Sequence, residues 1–326
     1  MRYPAHEKLE IIKLVEQSHL SARQTLDRLG IAKTTFYRWY DKYLEDGPEG
    51  LEDKKSVPSR VWNRIPDKVR AQILDLALER PELSPRELAV TFTDIKGYFV
   101  SEASVYRLLK AHDLITSPAF IVMKAANEFK DKPSRPNEQW QTDFTYLKVL
   151  GWGWFYLSTI LDDYSRYVIS WKLCTTMKTS DVTDTLDLAL EASGCDSAKV
   201  VHKPRLLSDN GASYISEELA DWLKSKGMDH VRGAPYHPQT QGKIERWHQT
   251  LKNRILLENY FLPGGLETQI GQFIEHYNNH RYHESLSNLT PADVYFGRGQ
   301  SILEKRRRTK LRTIKQRRLQ HNKQAA

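Results

Sequence analysis

Between Trp140 and Leu173 three strand-like runs follow one another with no helix between them, and this stretch constrains the fold more than any other. WQTDFTYLKV (140–149) alternates like a strand. WFYLSTILDD (154–163) is a more continuous apolar run, and RYVISWKL (166–173) is a third strand candidate. Further on, helix-like residues 180–192 and 214–226 alternate with the strand-like segments KPRLLSDNG (203–211) and MDHVRG (228–233). A long helix is predicted over 240–258. Adjacent strands followed by alternating helices and strands predict an α/β domain with a mixed five-stranded sheet and flanking helices.

The first 115 residues read as all-α. Residues 6–18 place Leu9, Ile12 and Val15 on one helical face, Ser21 can cap a short second helix running to Leu29, and Gly30 breaks the chain. A third helix over 33–43 exposes Lys33, Thr34, Thr35 and Arg38 and buries Phe36 and Trp39. Two helices joined by a short glycine turn form the helix-turn-helix pattern. In its DNA-binding form, the polar residues that open the second helix meet base edges in the major groove. A helical protein-interaction module would share the pattern. Residues 1–46 are thus a helix-turn-helix domain and 47–65, rich in Pro, Gly and charge, a linker. A weaker helix-turn-helix unit occupies 66–115. There Ser84-Pro85-Arg86-Glu87 supplies an N-cap, a first-turn proline and a capping-box glutamate. Residues 116–137 form a second linker, 138–300 the α/β domain and 301–326 a basic tail.

Charge is distributed unevenly. Of 49 Lys and Arg, ten lie from Ser301 onward against one Glu, so the tail carries +9 and the other 300 residues −1. Such a tail binds polyanions, for instance through sequence-independent phosphate contacts, or stays solvated. Two cysteines without a C-x-x-C exclude a disulfide framework and fit a reducing compartment. No apolar run approaches the ~20 residues of a membrane span, and the N-terminus has no apolar signal core, so the chain reads as soluble and cytoplasmic.

Three carboxylates stand where a fold would not place them for stability alone. Asp143 interrupts a strand with at least one buried face, which is costly unless something positive satisfies it. Asp209 ends an apolar strand at the Asn210-Gly211 turn, and strand ends are where open α/β sheets commonly build sites. Glu245 lies on the long helix beside the core stripe of Ile244, Trp247, Leu251 and Ile255, with Gln241, Gln249 and Lys252 on its own face. Such acids, without cysteine or an obligatory histidine, suit a hard cation such as magnesium. Asp162 and Asp163 read as turn residues. His276 and His280 are four apart on a helix, but no further ligands accompany them at a zinc-like spacing.

Five stretches resemble the integrase-core transposases of bacterial insertion sequences, relatives of retroviral integrases: RPNEQWQTDFTYL (135–147), LDDYSRYVISW (161–171), LLSDNGASY (206–214), APYHPQTQGKIERWHQTLK (234–252) and YNNHRYHESLSNLTPADVY (277–295). Asp209 and Glu245 are separated by 35 residues, the D-D-35-E spacing of that family. Lys252, seven residues or about two helical turns after the glutamate, shares its face and can reach a DNA phosphate.

The resemblance implies an RNase H-like core in which Asp143, Asp209 and Glu245 are both the catalytic residues and the ligands of two Mg2+ ions, with Mn2+ able to substitute. It implies a DDE-type polynucleotidyl transferase. Water frees a 3′-hydroxyl at the element's ends, and that hydroxyl then attacks target DNA, with no protein–DNA covalent intermediate. Partners would be double-stranded DNA, both terminal repeats and target, and further copies of the chain on paired ends. Tyr236, His237, Gln239 and Lys243, before or at the start of the catalytic helix, would contact DNA, with Gly242 letting the backbone approach closely. Tyr277, Asn278, Arg281 and His283 belong to a motif that packs or contacts DNA. A domesticated, non-cutting DNA-binding protein or a regulator would share the helix-turn-helix units, but it would be free to lose the acids.

Overall fold

The computed structural model describes residues 3–52, 61–115, 133–197, 202–233 and 242–325. The chain divides into two compact units, Met1–Arg64 and Ile65–Ala326.

In the first unit, α1 (Ala5–Gln17), α2 (Ala22–Leu29) and α3 (Lys33–Asp46) enclose Ile12, Leu26, Ile31, Phe36 and Trp39. Local chemistry sets the boundaries. The Ser21 side chain accepts from the Gln24 N–H and the Gln24 side chain from the Ser21 N–H, a reciprocal cap on α2. Gly30 closes α2 in the left-handed region at φ 66°. The stretch expected to be a linker from residue 47 begins instead as a 3-10 turn, Gly47–Leu51, that belongs to this unit. Leu51 is 2% exposed, and the buried Lys8 donates from Nζ to its carbonyl at 3.0 Å. A polar stretch conceals one leucine whose burial stabilises by about 1.5–3 kcal/mol. A Cβ on Gly50 would lie 2.4 Å from the Lys42 carbonyl oxygen, so only glycine lets the turn close against α3.

The second unit opens with another three-helix module, α4 (Asp67–Glu79), α5 (Pro85–Lys96) and α6 (Glu102–Ala111), packed around Ile73, Leu88, Phe92, Val105 and Leu108. Ser84 and Glu87 form the expected capping box on α5. Next come β1 (Gln139–Val149), β2 (Gly153–Asp162), β3 (Val168–Cys174), α7 (Thr179–Ser193), β4 (Arg205–Ser208), α8 (Glu217–Lys226), β5 (His230–Arg232) and α9 (Gly242–Ile255). The five strands form one sheet in the order β3-β2-β1-β4-β5. β1 to β3 are antiparallel, while β4 runs parallel to both β1 and β5. This is the mixed α/β, RNase H-like architecture expected.

Strand periodicity splits the core in two. Leu147, Val149 and Leu157 point to one face and pack with Trp247 and Leu251 of α9 and with α10 (Pro263–Asn279). Trp140, Phe144 and Ile160 point to the other and pack against α7 and α8. Because β4 pairs only with Gln139–Gln141, the rest of β1 has no strand beside it on that edge among the described residues.

After α11 (Pro291–Tyr295), residues 301–326 do not trail as a tail: α12 is one helix, Gly299–Ala325. Its inward stripe is polar. Arg306 grips the Asp94 carboxylate of α5 through Nε (2.9 Å) and Nη2 (2.6 Å). The Phe99 N–H donates to the Thr313 hydroxyl at 3.0 Å, and Arg317 donates to the Tyr98 hydroxyl and the Phe99 carbonyl. Composition does not expose this docking, because arginines replace the apolar residues that usually mark a buried stripe. Among the described residues no helix is long and apolar enough to cross a membrane.

Candidate active site

Asp143 lies mid-strand in β1, opposite Thr159 of β2. Its Oδ1 accepts from the Phe144 N–H at 2.8 Å, and its Oδ2 lies 3.4 Å from Nδ1 of the buried His248 on α9. Asp209 stands one residue past β4, where its Oδ1 accepts from the Gly211 N–H at 2.9 Å. A Cβ on Gly211 would sit 3.0 Å from that oxygen, so the glycine leaves the carboxylate its place. Glu245 occupies the first turn of α9, where the helix's free N–H groups favour negative charge.

The three acids share one electrostatic neighbourhood. Burial raises the Asp209 carboxyl above its ordinary pKa, and the charge of Asp143 raises it further. Glu245 is raised by burial and then by Asp143, while His248 opposes the shift. Asp143 thus repels both other carboxylates, as acids do when gathered for a cation. All six oxygens are hard donors of the kind magnesium prefers. Among the described residues no three His, Cys, Asp or Glu side chains stand close enough to close a metal cage.

What holds α9 against β1 is a buried polar junction. The Gln141 Oε1 accepts from the Ile244 N–H at 3.0 Å, satisfying one of the orphan donors that open α9. The Gln141 Nε2 donates to Asp163 at 2.5 Å, and Lys243 donates from Nζ to the Asp163 carboxylate at 2.6 Å and to its carbonyl at 2.9 Å. The ammonium of Lys243, expected at DNA, is directed in this structure into the turn at Asp163. Burial and the nearby Arg166 lower its pKa. Asp163 is correspondingly engaged. Asp162 accepts from the Ser165 N–H and hydroxyl and from the Asn137 N–H, so both are turn acids as expected.

The other candidates separate by position. Lys33, Thr34 and Arg38 are exposed at the start of α3, and Thr35 is half-buried. Tyr236, His237 and Gln239 lie outside the described residues. Lys252 sits with Nζ 4.0 Å from the centre of the Tyr146 ring. In the motif at 277–283, Tyr277 is buried against Trp247, and Asn278 pairs with both backbone groups of Val168 at the start of β3. Burial, with Arg281, Arg166 and Arg86 nearby, pushes the pKa of His283 down to about 3. Tyr277, Asn278 and His283 therefore pack. His248, Gly211 and Gln141 are additions that sequence reading missed. His248 alone left a local signal, standing one turn after Glu245.

Helix-turn-helix modules precede a mixed sheet whose central strand carries Asp143, and the comparisons with known proteins follow the same division. An integrase core domain family matches residues 133–238, and a second integrase core domain family matches 226–291. A helix-turn-helix domain matches 7–59 and a homeodomain-like domain 35–109. The transposase of insertion sequence IS629 from Shigella sonnei is 28% identical over 162 residues, covering 49% of this chain and 52% of that protein. The putative transposase InsK of IS150 from Escherichia coli K12 is 29% identical over 268 residues, covering 81% and 89%. The magnesium-bound integrase catalytic core of HTLV-2 matches with 22% identity over 50% of this chain and 98% of its own, at a TM-score of 0.40. The chain is thus similar to insertion-sequence transposases and, over its sheet, to integrase core domains. It spans 52% and 62% of the lengths of the IS629 and IS904 transposases it matches.

Proposed function

We propose that this chain is a DDE-type transposase that binds the terminal repeats of a mobile element, cuts phosphodiesters at its ends and joins the freed 3′-hydroxyls to target DNA. The observation that carries this reading is the position of Asp143, whose charge raises the carboxyls of both Asp209 and Glu245. The same three side chains would hold two divalent ions, magnesium or manganese. When bound, such ions supply activation of the attacking oxygen and neutralisation of the leaving one. The residues do the positioning: Gly211 leaves the Asp209 carboxylate room, and the Gln141–Asp163–Lys243 junction sets α9 and hence Glu245. Exposed Lys33, Thr34 and Arg38, with Thr35, suit major-groove and phosphate contacts that hold the terminal repeat. Lys252 suits a phosphate contact beside the acids. Further copies of the chain would join two ends.

The test is incubation of the full chain with magnesium and duplexes carrying the element's ends, with nicked and joined products resolved on a denaturing gel. Wild type yields both. Asp143→Asn, Asp209→Asn and Glu245→Gln each bind the ends and yield neither. A wild type that binds the ends and yields no product makes the chain a DNA-binding protein that does not cut.

A further inference from the structure

The hairpin joining β1 and β2 carries aromatic side chains that are exposed among the described residues. Tyr146, Trp152 and Trp154 are 58%, 62% and 53% exposed. Tyr146 and Trp154 meet edge to face, with ring centroids 5.5 Å apart at 79°. Rings gathered this way in water mark a binding surface. Two lysines attend them: Lys252 Nζ stands 4.0 Å from the Tyr146 ring centre and Lys148 Nζ 5.9 Å from that of Trp154. Among the described residues neither lysine forms an ion pair, so both keep their charge for a partner.

The place of this patch is set by the two elements that carry the acids. Tyr146 is three residues beyond Asp143 on β1, about 10 Å along the strand and, by the two-residue alternation, on the other face of the sheet, where Lys252 of α9 meets its ring. Lys252 is two turns beyond Glu245 on α9, also about 10 Å along its axis. This length of β1 has no neighbouring strand on its β4 side among the described residues. Ten ångströms is about three nucleotides of stacked DNA.

We propose that Tyr146 and Trp154, flanked by Lys148 and Lys252, form a stacking platform for unpaired nucleobases of the DNA end lying at the acids. This rests on the transposase reading for what is delivered there. Aromatic rings gain from bases only where these are unstacked, each such contact being worth about 1–3 kcal/mol, while the lysines serve the phosphates between them. Fully paired DNA would use the lysines and leave the rings idle. A second copy of the chain fits less well. A two-fold contact on this patch would bring Lys148 and Lys252 against their own copies, like charge on like.

The experiment uses the full chain, in EDTA so that cutting plays no part. It compares a duplex ending in a short unpaired overhang that holds aminopurine with the same duplex fully paired. Wild type quenches the aminopurine and prefers the overhang. The double variant Tyr146→Leu/Trp154→Leu loses the quench and binds the overhang about tenfold more weakly, with binding of the paired duplex unchanged. Tyr146→Phe/Trp154→Phe retains the quench. Both rings are exposed, so thermal melting of each variant is expected to match wild type. The platform is overturned if wild type gives no quench, or if the leucine variant quenches as wild type does. It is also overturned if the leucine substitutions change the sedimenting mass and not the overhang preference, which makes the patch an interface between copies. Failure of the transposase reading shows separately, as absence of magnesium-dependent products from a wild type that still quenches.

Discussion

At the scale of single residues, the proposed function turns on space and charge around the acids. Gly211 is the sharpest case. Its N–H holds the Asp209 carboxylate, and a methyl group there would press on the same oxygen at 3.0 Å. Gly211→Ala is expected to leave the melting temperature unchanged and to slow end cleavage by about tenfold, because displacements of a few tenths of an ångström are costly at a reacting centre. Unchanged cleavage would remove Gly211 from the site. His283 makes a second prediction, about stability. Its pKa falls from the ordinary 6.5 to about 3 in the folded chain. Between those values the unfolded chain takes up a proton that the folded chain refuses, so stability is lost as pH falls below 6.5. By pH 5 the loss is about 2 kcal/mol. In denaturant titrations at pH 7 and pH 5, His283→Gln is expected to shrink the difference seen in wild type. An equal difference in both would show that other groups set it.

At the scale of elements, polar junctions hold helices that apolar stripes alone would leave underdetermined. α9 has an ordinary core stripe, yet its first turn is placed by Gln141 and the Asp163–Lys243 pair. α12 has no apolar stripe of consequence, and Arg306, Thr313 and Arg317 fasten it to α5 and to the chain leading into α6. Arg306→Ala would leave the half-buried Asp94 carboxylate without its bidentate partner, at a cost of about 2 kcal/mol. We expect melting to fall by about 5 °C, with Arg306→Lys recovering only part of it because an ammonium cannot reproduce the planar fork. No fall would mean that α12 is held by other contacts. At this scale the sequence was most legible. The capping residues Ser21 and Ser84, the αL closure at Gly30 and strand alternation in β1 act within a few residues, so each element lay close to where its local chemistry put it. The 3-10 turn at Gly47–Leu51 escaped notice because its anchor is a single leucine held by a distant lysine.

At the scale of the whole molecule, the residues proposed for recognition and those proposed for chemistry lie on different parts of the chain. Lys33, Thr34 and Arg38 belong to the first compact unit, and the acids to the second. Contacts of the first kind are hydrogen bonds and phosphate pairs that need no metal. Chelation by EDTA is therefore expected to abolish product formation and to leave binding of the element's ends intact in a gel-shift assay. Loss of both together would place the metal in recognition as well. The sequence by itself determined the class of fold, the order of the helical modules and sheet, and Asp143, Asp209 and Glu245 as candidates, since period, caps and motif spacing are properties of the chain read locally. Only the tertiary structure decided that Lys243 turns inward to Asp163, that the basic C-terminal segment is a docked helix, and that His248 stands beside Asp143. Each of these is a charge finding a partner tens or hundreds of residues away, and such a choice depends on burial and distance that no local pattern encodes.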